Sequence, residues 1–172
     1  MSAFPQTAED QPEVSLSGVT RQFDDTFSIQ DVSFSAADGE SVVLIGPSAS
    51  GKTVTLKTIA GLFRPDSGSI RIRGRETVGL SDGERSEVAR IGMLFQRSAL
   101  FDSLTVWENI TFRLRQNTKL TQTDATDLAG DKLIAVGLAR DTAALYPAEL
   151  SGGMQKRVGI ARALADDPDI LL

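Results

Sequence analysis

The 172-residue sequence contains no cysteine and no histidine. Without cysteine there is neither a disulfide framework nor a thiolate metal site, and without histidine these residues offer no imidazole base, ligand or pH switch. No run of apolar residues approaches the roughly 18 that mark a membrane-spanning helix. The formal net charge of −5 argues against nucleic acid as the main partner, because such binding relies on lysine and arginine to neutralise phosphates. The chemistry must therefore rest on lysine, threonine, glutamine, carboxylates and the backbone.

The hydrophobic patterns of the first half predict an α/β domain. Residues 1–13 are acidic, polar and proline-containing, and we expect them to form a mobile tail. Apolar and polar residues alternate across residues 14–34, as in an antiparallel edge region. Residues 41–45 are a nearly continuous apolar run, which is typical of a strand buried on both faces of a parallel sheet. Apolar residues at helical spacing then predict a helix that extends to residue 62.

The second half adds strands and helices. Residues 91–95 predict a buried strand that ends at Gln96. Three helices are predicted, at residues 105–115, 124–136 and 152–165. Thr105 and Glu108 form a capping box at the start of the first of them. An apolar strand begins at residues 170–172, and because a core strand belongs to a larger sheet, we expect the natural protein to continue further.

A glycine-rich loop lies between the predicted strand at residues 41–45 and the helix that follows. It matches the complete pattern G-x-x-x-x-G-K-[ST] with the residues Gly46, Pro47, Ser48, Ala49, Ser50, Gly51, Lys52 and Thr53. In this context the backbone amides and the helix N-terminus bind phosphate, the lysine reaches the β- and γ-phosphates, and the threonine hydroxyl binds Mg²⁺. The pattern predicts nucleotide binding and does not by itself specify a reaction.

A second glycine-rich segment, Leu150-Ser151-Gly152-Gly153-Met154, opens the last predicted helix. Ser151 and the amides of the two glycines form either a second anion site at a helix N-terminus or an ordinary glycine-rich N-cap. Taken alone, these residues favour neither interpretation.

The phosphate loop, Gln96 after a strand and the Leu-Ser-Gly-Gly segment occur in an order that resembles the ATP-binding subunits of ABC transporters. The resemblance covers residues 14–172. It implies a P-loop NTPase fold with a RecA-like parallel sheet, an antiparallel β edge region and an inserted helical subdomain at about residues 97–156. It also implies ATP and Mg²⁺ as cofactors, and a head-to-tail homodimer in which the Leu-Ser-Gly-Gly segment of one subunit closes on the nucleotide of the other.

The resemblance assigns roles to individual residues. Lys52 and Thr53 take the phosphate and Mg²⁺ roles, Gln96 binds Mg²⁺ and senses the attacking water, and residues 151–153 act in trans. Phe23 stands where the family often has an aromatic residue that stacks on adenine. Phe27 is close enough in sequence to be the alternative, and either ring could instead belong to the core.

The sequence departs from the family pattern in three respects. Val54 replaces a hydroxyl residue that contacts the α-phosphate in many members, and Met154 replaces the commoner glutamine of the signature. The family's Mg²⁺-supporting aspartate, catalytic glutamate and switch histidine follow the last strand and are not among these residues. The aspartates Asp166, Asp167 and Asp169 precede that strand and cannot replace them. Without a general base to orient water, we expect this chain alone to bind ATP better than it hydrolyses it.

Residues 94–110, together with the later Leu-Ser-Gly-Gly-Met, resemble bacterial lipid transporters of the phospholipid-asymmetry or mammalian-cell-entry type. That resemblance implies transmembrane permease subunits, a peripheral position on the cytoplasmic face of the inner membrane, and a lipid-binding periplasmic component. Leu100, Phe101 and Trp107 are candidates for the groove that receives a permease helix, with ordinary core packing as the alternative. The other functions left open are the ATPase of a small-solute importer, a non-transport ABC-type ATPase and a non-hydrolysing nucleotide binder.

Overall fold

The computed structural model describes residues 11–23, 26–96 and 98–172, and it does not describe the side chains of residues 26, 27 and 117. Residues 1–10 of the predicted tail, the Phe27 side chain and residue 97 at the start of the predicted helical subdomain therefore lie outside the described residues. The chain divides into two compact units between Ala89 and Arg90.

The first unit is built on an antiparallel sheet. Its strands are β1 (Val14–Phe23), β2 (Thr26–Ala36), β3 (Ser67–Ile72) and β4 (Arg75–Glu76), in the order β2-β1-β3-β4. Val14 pairs with Ala36 on one side and with Ile72 on the other. The alternating apolar side chains of these strands, among them Leu16, Val19, Ile29 and Ile70, are buried. The alternation at residues 14–34 therefore forms antiparallel strands, as predicted.

Two helices complete the first unit, α1 (Lys52–Ile59) and α2 (Asp82–Val88). Gly61, which follows the C-cap of α1, has a φ of 81°, and its amide donates to the Thr58 oxygen at 3.1 Å. A left-handed glycine is a common helix terminator. Helix α2 was not predicted, although Ser81 and Glu84 form a complete capping box at its start.

Residues 41–45 do not form a strand, and the prediction of a buried strand there is wrong. The sheets of the described residues do not include this segment. Val43 is 76% exposed and Ile45 is 92% exposed. A strand of a parallel sheet needs hydrogen-bonded neighbours, and the apolar composition of the segment cannot supply them.

The second unit is mainly helical. It contains α3 (Val106–Asn117), α4 (Gln122–Ala135) and α5 (Gly152–Ala163), with short 3₁₀ turns at Arg140–Ala144 and Pro147–Glu149. The core residues include Val106, Ile110, Leu133, Val158 and Ala161. The three predicted helices agree with α3, α4 and α5 to within about one half-turn at their ends. None of the helices in the described stretches is both long and apolar enough to cross a bilayer.

A short parallel ladder joins the two ends of the second unit. Strands β5 (Ile91–Gly92) and β6 (Ile170–Leu171) pair in parallel. The Leu94 amide extends the ladder by donating to the Leu172 oxygen at 2.8 Å. Strand β5 is therefore shorter than the strand predicted at residues 91–95.

Candidate functional site

The glycine-rich loop closes around the ammonium group of Lys52. Lys52 Nζ donates to the carbonyl oxygens of Gly46 (2.8 Å) and Pro47 (2.6 Å) and to Ser50 Oγ (3.2 Å). The Ser50 amide donates to the Pro47 oxygen across a turn at 3.3 Å. These bonds keep a positive charge inside the loop, where an incoming phosphate would meet it.

The two pattern glycines both lie close to neighbouring atoms of the first unit. Gly51 has a φ of 86°, and a Cβ atom there would lie 2.2 Å from the Ser28 oxygen and 2.5 Å from Ile29 Cγ2. A Cβ atom on Gly46 would lie 2.7 Å from Ser50 Oγ. A side chain at position 51 would therefore push the loop away from β2, whereas at position 46 the Ser50 side chain would have to move.

The N-terminus of α1 is electrostatically open to an anion. Gly51 caps the helix without a side-chain hydrogen bond, and the first turn contains no acidic residue. Thr53 is exposed and Val54 is half-buried. The hydroxyls of Thr55 and Thr58 donate to the helix oxygens of Gly51 (3.1 Å) and Val54 (2.7 Å). The positive end of the α1 dipole and the first backbone amides of this helix are thus available to a negatively charged ligand.

Phe23 lies at the end of β1 in a group of aromatic and cationic side chains. The Phe23 and Phe63 ring centroids are 5.1 Å apart at 72°, and the Arg21 guanidinium carbon lies 4.8 Å from the Phe23 centroid. Arg21 Nη1 also bonds Asp66 Oδ1 at 2.6 Å. Lys57 Nζ lies 5.4 Å from the Phe63 centroid. These contacts fix the orientation of a half-buried ring whose role in stacking on adenine stays a prediction.

Gln96 lies in the turn that follows β5, and its side chain is exposed. It lines a groove of about 260 Å³ together with Leu94, Phe95, Ser98, Lys156 and Ile160. Mg²⁺ in nucleotide sites takes most of its ligands from phosphates and water. The side chains of Thr53 and Gln96 are both exposed, and their role as Mg²⁺ ligands stays a prediction.

The Leu-Ser-Gly-Gly segment forms the start of α5. Ser151 Oγ accepts a hydrogen bond from the Met154 amide at 3.2 Å, and the first turn of the helix contains no acidic residue. A Cβ atom on Gly152 would have no described neighbour within 4 Å, and on Gly153 the nearest atom would be Ser151 Oγ at 4.0 Å. In contrast to Gly51, these glycines are not required by packing within the chain, which favours the interpretation that something external approaches them.

The predicted docking residues divide into two groups. Leu100 and Trp107 pack against the helical core of the second unit, which supports the core alternative for both. Phe101 is 45% exposed, and its ring centroid lies 4.7 Å from that of Phe112.

Asn109 is fully buried, accepts from the Phe101 amide at 2.8 Å and donates to the Phe101 oxygen at 3.1 Å. Asn109 was not predicted as a structural residue, although a polar residue among the apolar positions of α3 was the available signal.

Two of the three aspartates near β6 have local partners. Asp167 Oδ1 bonds Lys132 Nζ at 2.5 Å, and this bond holds the pKa of Asp167 below its usual value. Asp169 Oδ2 accepts from the Arg90 amide at 2.8 Å. These contacts tie the carboxylates to neighbouring surface groups.

The chain is similar to known proteins in both structure and sequence. The chain is similar to the ATP-binding cassette MJ0796, solved as a dimer bound to ADP and phosphate. The TM-score is 0.81 at 32% identity, covering 92% of this chain and 72% of that one. The fold is therefore that of a P-loop NTPase cassette, which confirms the predicted α/β fold class. The family model described as ABC transporter matches residues 29–172, and the chain belongs to the ABC transporter ATP-binding family.

Curated relatives extend the family assignment. The probable ribonucleotide transport ATP-binding protein mkl of Mycobacterium tuberculosis is 42% identical over 92% of this chain. The chloroplastic protein TRIGALACTOSYLDIACYLGLYCEROL 3 of Arabidopsis thaliana is 42% identical over 90% of it. The methionine import ATP-binding protein MetN of Rhizobium johnstonii is 41% identical over 100% of it. The chain spans only 44%, 46% and 47% of these three relatives' own lengths.

Proposed function

We propose that this chain supplies the ATP-binding site of an ABC transporter ATPase. The observation that carries the proposal is the complete phosphate loop, with the Lys52 ammonium held inside it and the open N-terminus of α1 beside it. The backbone amides of residues 46–53 would bind the β-phosphate. Lys52 would exchange its bonds to the loop carbonyls for bonds to the β- and γ-phosphates, and Thr53 would bind Mg²⁺.

The remaining site residues are proposed to act around this phosphate site. Gln96 would bind Mg²⁺ and sense the attacking water, and the amide of Val54 would reach the α-phosphate without a hydroxyl contact. Phe23 would stack on adenine. Residues 151–153 would close on the nucleotide of a second copy of the chain, and this role is supported by the two glycines that packing within the chain does not require.

We also propose partners for the assembled transporter. Two ATP-binding subunits would pair head to tail, as expected for a family whose solved cassettes include dimers. Transmembrane permease subunits would hold the pair on the cytoplasmic face of the membrane. ATP binding and hydrolysis in the pair would drive transport.

The proposed substrate is a lipid. The resemblance of residues 94–110 to lipid transporters and the likeness to a plant protein named for a galactolipid support it. The likeness to a methionine importer supports the rival small-solute function. The intact complex, purified with its permease and any periplasmic lipid-binding component, should carry phospholipid detectable by mass spectrometry. A complex that carries no lipid and whose ATPase is stimulated by methionine would favour the rival function.

The phosphate-loop role is tested by Lys52→Ala. We expect ATP affinity, measured by isothermal titration calorimetry, to fall by about 10- to 100-fold, because a hydrogen bond to a charged group contributes about 1.5–3 kcal/mol. The matched control is Lys119→Ala, which removes an exposed lysine from the second unit. Unchanged ATP affinity in the Lys52 variant would refute the proposed function.

A further inference from the structure

Arg162, on α5, forms hydrogen bonds with the backbone that follows Gln96. Arg162 Nη1 donates to the Ala99 oxygen and Arg162 Nη2 donates to the Ser98 oxygen, both at 2.7 Å. The two amino groups of a guanidinium form a rigid planar fork, and here the fork matches two consecutive carbonyls. Burial lowers the pKa of Arg162, so these carbonyls compensate a cation that has lost part of its water.

The backbone that Arg162 contacts has a left-handed conformation, which residues other than glycine seldom adopt without support from neighbouring contacts. Ser98 has a φ of 24° and Ala99 has a φ of 47°. Residues with a Cβ atom avoid this left-handed region, and they occupy it when surrounding contacts determine the conformation. The two hydrogen bonds from Arg162 fall on these two residues, so the arginine stabilises the strained turn directly.

The same segment lies against α5 one turn earlier. A Cβ atom on Gly159 would lie 3.2 Å from Ser98 Cβ and 3.3 Å from Leu94 Cδ1. Gln96 therefore stands between two residues that both contact α5, and its exposed side chain shares a groove with Lys156 and Ile160 of that helix. The chain is thus in contact with α5 on both sides of Gln96.

We propose that Arg162 is a positioning residue for Gln96, because its guanidinium joins the backbone of Ser98 and Ala99 to α5. Arg162 would act through Gln96 and would not touch the nucleotide. The inference rests on the proposed function, since it requires Gln96 to act on Mg²⁺ or water.

The test compares Arg162→Lys, Gln96→Ala and the double variant in steady-state ATP hydrolysis by the protein as its natural gene encodes it, together with its transporter partners. A lysine keeps the charge but cannot span two carbonyls with a planar fork. We expect Arg162→Lys to lower kcat about tenfold, with the KM for ATP and the thermal unfolding midpoint unchanged. The double variant should be no slower than Gln96→Ala, because two residues that act through one group are not additive.

The matched control is Arg140→Lys, which makes the same change in the second unit at an arginine bonded to Asp131. It should leave kcat and KM unchanged. Arg162→Gln is a second test of the paired hydrogen bonds. Its side chain retains a single planar amide donor, and we expect it to lower kcat similarly.

The possible results distinguish a failure of the positioning role of Arg162 from a failure of the proposed function. A wild-type kcat in Arg162→Lys and Arg162→Gln, or losses that multiply in the double variant, would overturn the positioning role alone. A joint fall of kcat and of the unfolding midpoint in both arginine variants would also overturn it, since that pattern indicates a structural role. A wild-type protein that neither binds nor hydrolyses ATP would overturn the proposed function and this inference with it.

Discussion

At the scale of single residues, the candidate site combines side chains fixed by local contacts with side chains left open. The sequence could not choose between Phe23 and Phe27, because the two residues are close in sequence and either ring could belong to the core. The contacts of Phe23 with Arg21 and Phe63 give its ring a defined orientation. A cation on an aromatic ring and an edge-on aromatic neighbour are both stabilising arrangements. A ring held in this way loses little further conformational entropy when a base stacks on it.

Phe23→Ala separates base recognition from phosphate recognition. We expect the variant to bind ATP about 5- to 100-fold more weakly, since stacking of one base on an aromatic side chain contributes about 1–3 kcal/mol. Its affinity for inorganic tripolyphosphate, which has no base, should stay at the wild-type value. Calorimetric titration with each ligand measures both quantities. Equal losses of affinity for the two ligands would indicate a folding defect. An unchanged affinity for ATP would show that Phe23 does not stack on adenine.

At the scale of secondary-structure elements, local chemistry was predictable and strand pairing was not. The start of α3 was predicted from Thr105 and Glu108, and Glu108 does accept hydrogen bonds from the Thr105 amide (2.9 Å) and hydroxyl (2.8 Å). Ser151 was predicted as a cap and accepts from the Met154 amide. Such caps involve residues three positions apart, which the sequence displays directly. The error at residues 41–45 has the opposite cause, because a strand depends on partners that are distant in sequence.

The capping box at the start of α3 predicts a pH dependence of stability. Hydrogen bonds from the Thr105 amide and hydroxyl lower the pKa of Glu108. A carboxyl group whose pKa is lower in the folded state stabilises the fold above its unfolded pKa of about 4.3, and this contribution disappears as the pH falls through the folded pKa. We expect Glu108→Gln to destabilise the chain by less than about 1 kcal/mol at pH 7.

Urea unfolding at several pH values measures this contribution. The difference between wild type and Glu108→Gln should shrink towards zero below about pH 4, where the carboxyl protonates. The exposed residue Glu87 provides a control, because Glu87→Gln removes a charge from the end of α2 outside any capping box. A Glu108 difference that stays constant with pH would mean that the carboxylate charge does not contribute to the cap.

At the scale of the whole chain, the order of three short motifs was more informative than the secondary structure around them. The family and the fold class follow from the phosphate loop, Gln96 and the Leu-Ser-Gly-Gly segment, and the comparisons confirm both. The division between Ala89 and Arg90 could not be predicted in this way. It reflects two separate sets of core contacts, one in an antiparallel sheet and one among helices, and such sets depend on three-dimensional packing.

The pairing of two copies is tested at Ser151. In Ser151→Arg, the bulky cation would occupy the open space beside Gly152 and Gly153 and block approach of a second nucleotide site. We expect the wild-type protein to dimerise with ATP in magnesium-free buffer, as followed by sedimentation velocity, and the variant to stay monomeric while its calorimetric ATP affinity is unchanged. The control Ser35→Arg adds the same side chain to an exposed position on β2 and should dimerise normally. If Ser151→Arg also dimerised normally, the Leu-Ser-Gly-Gly segment would be only an N-cap, and the glycines beside it would need another explanation.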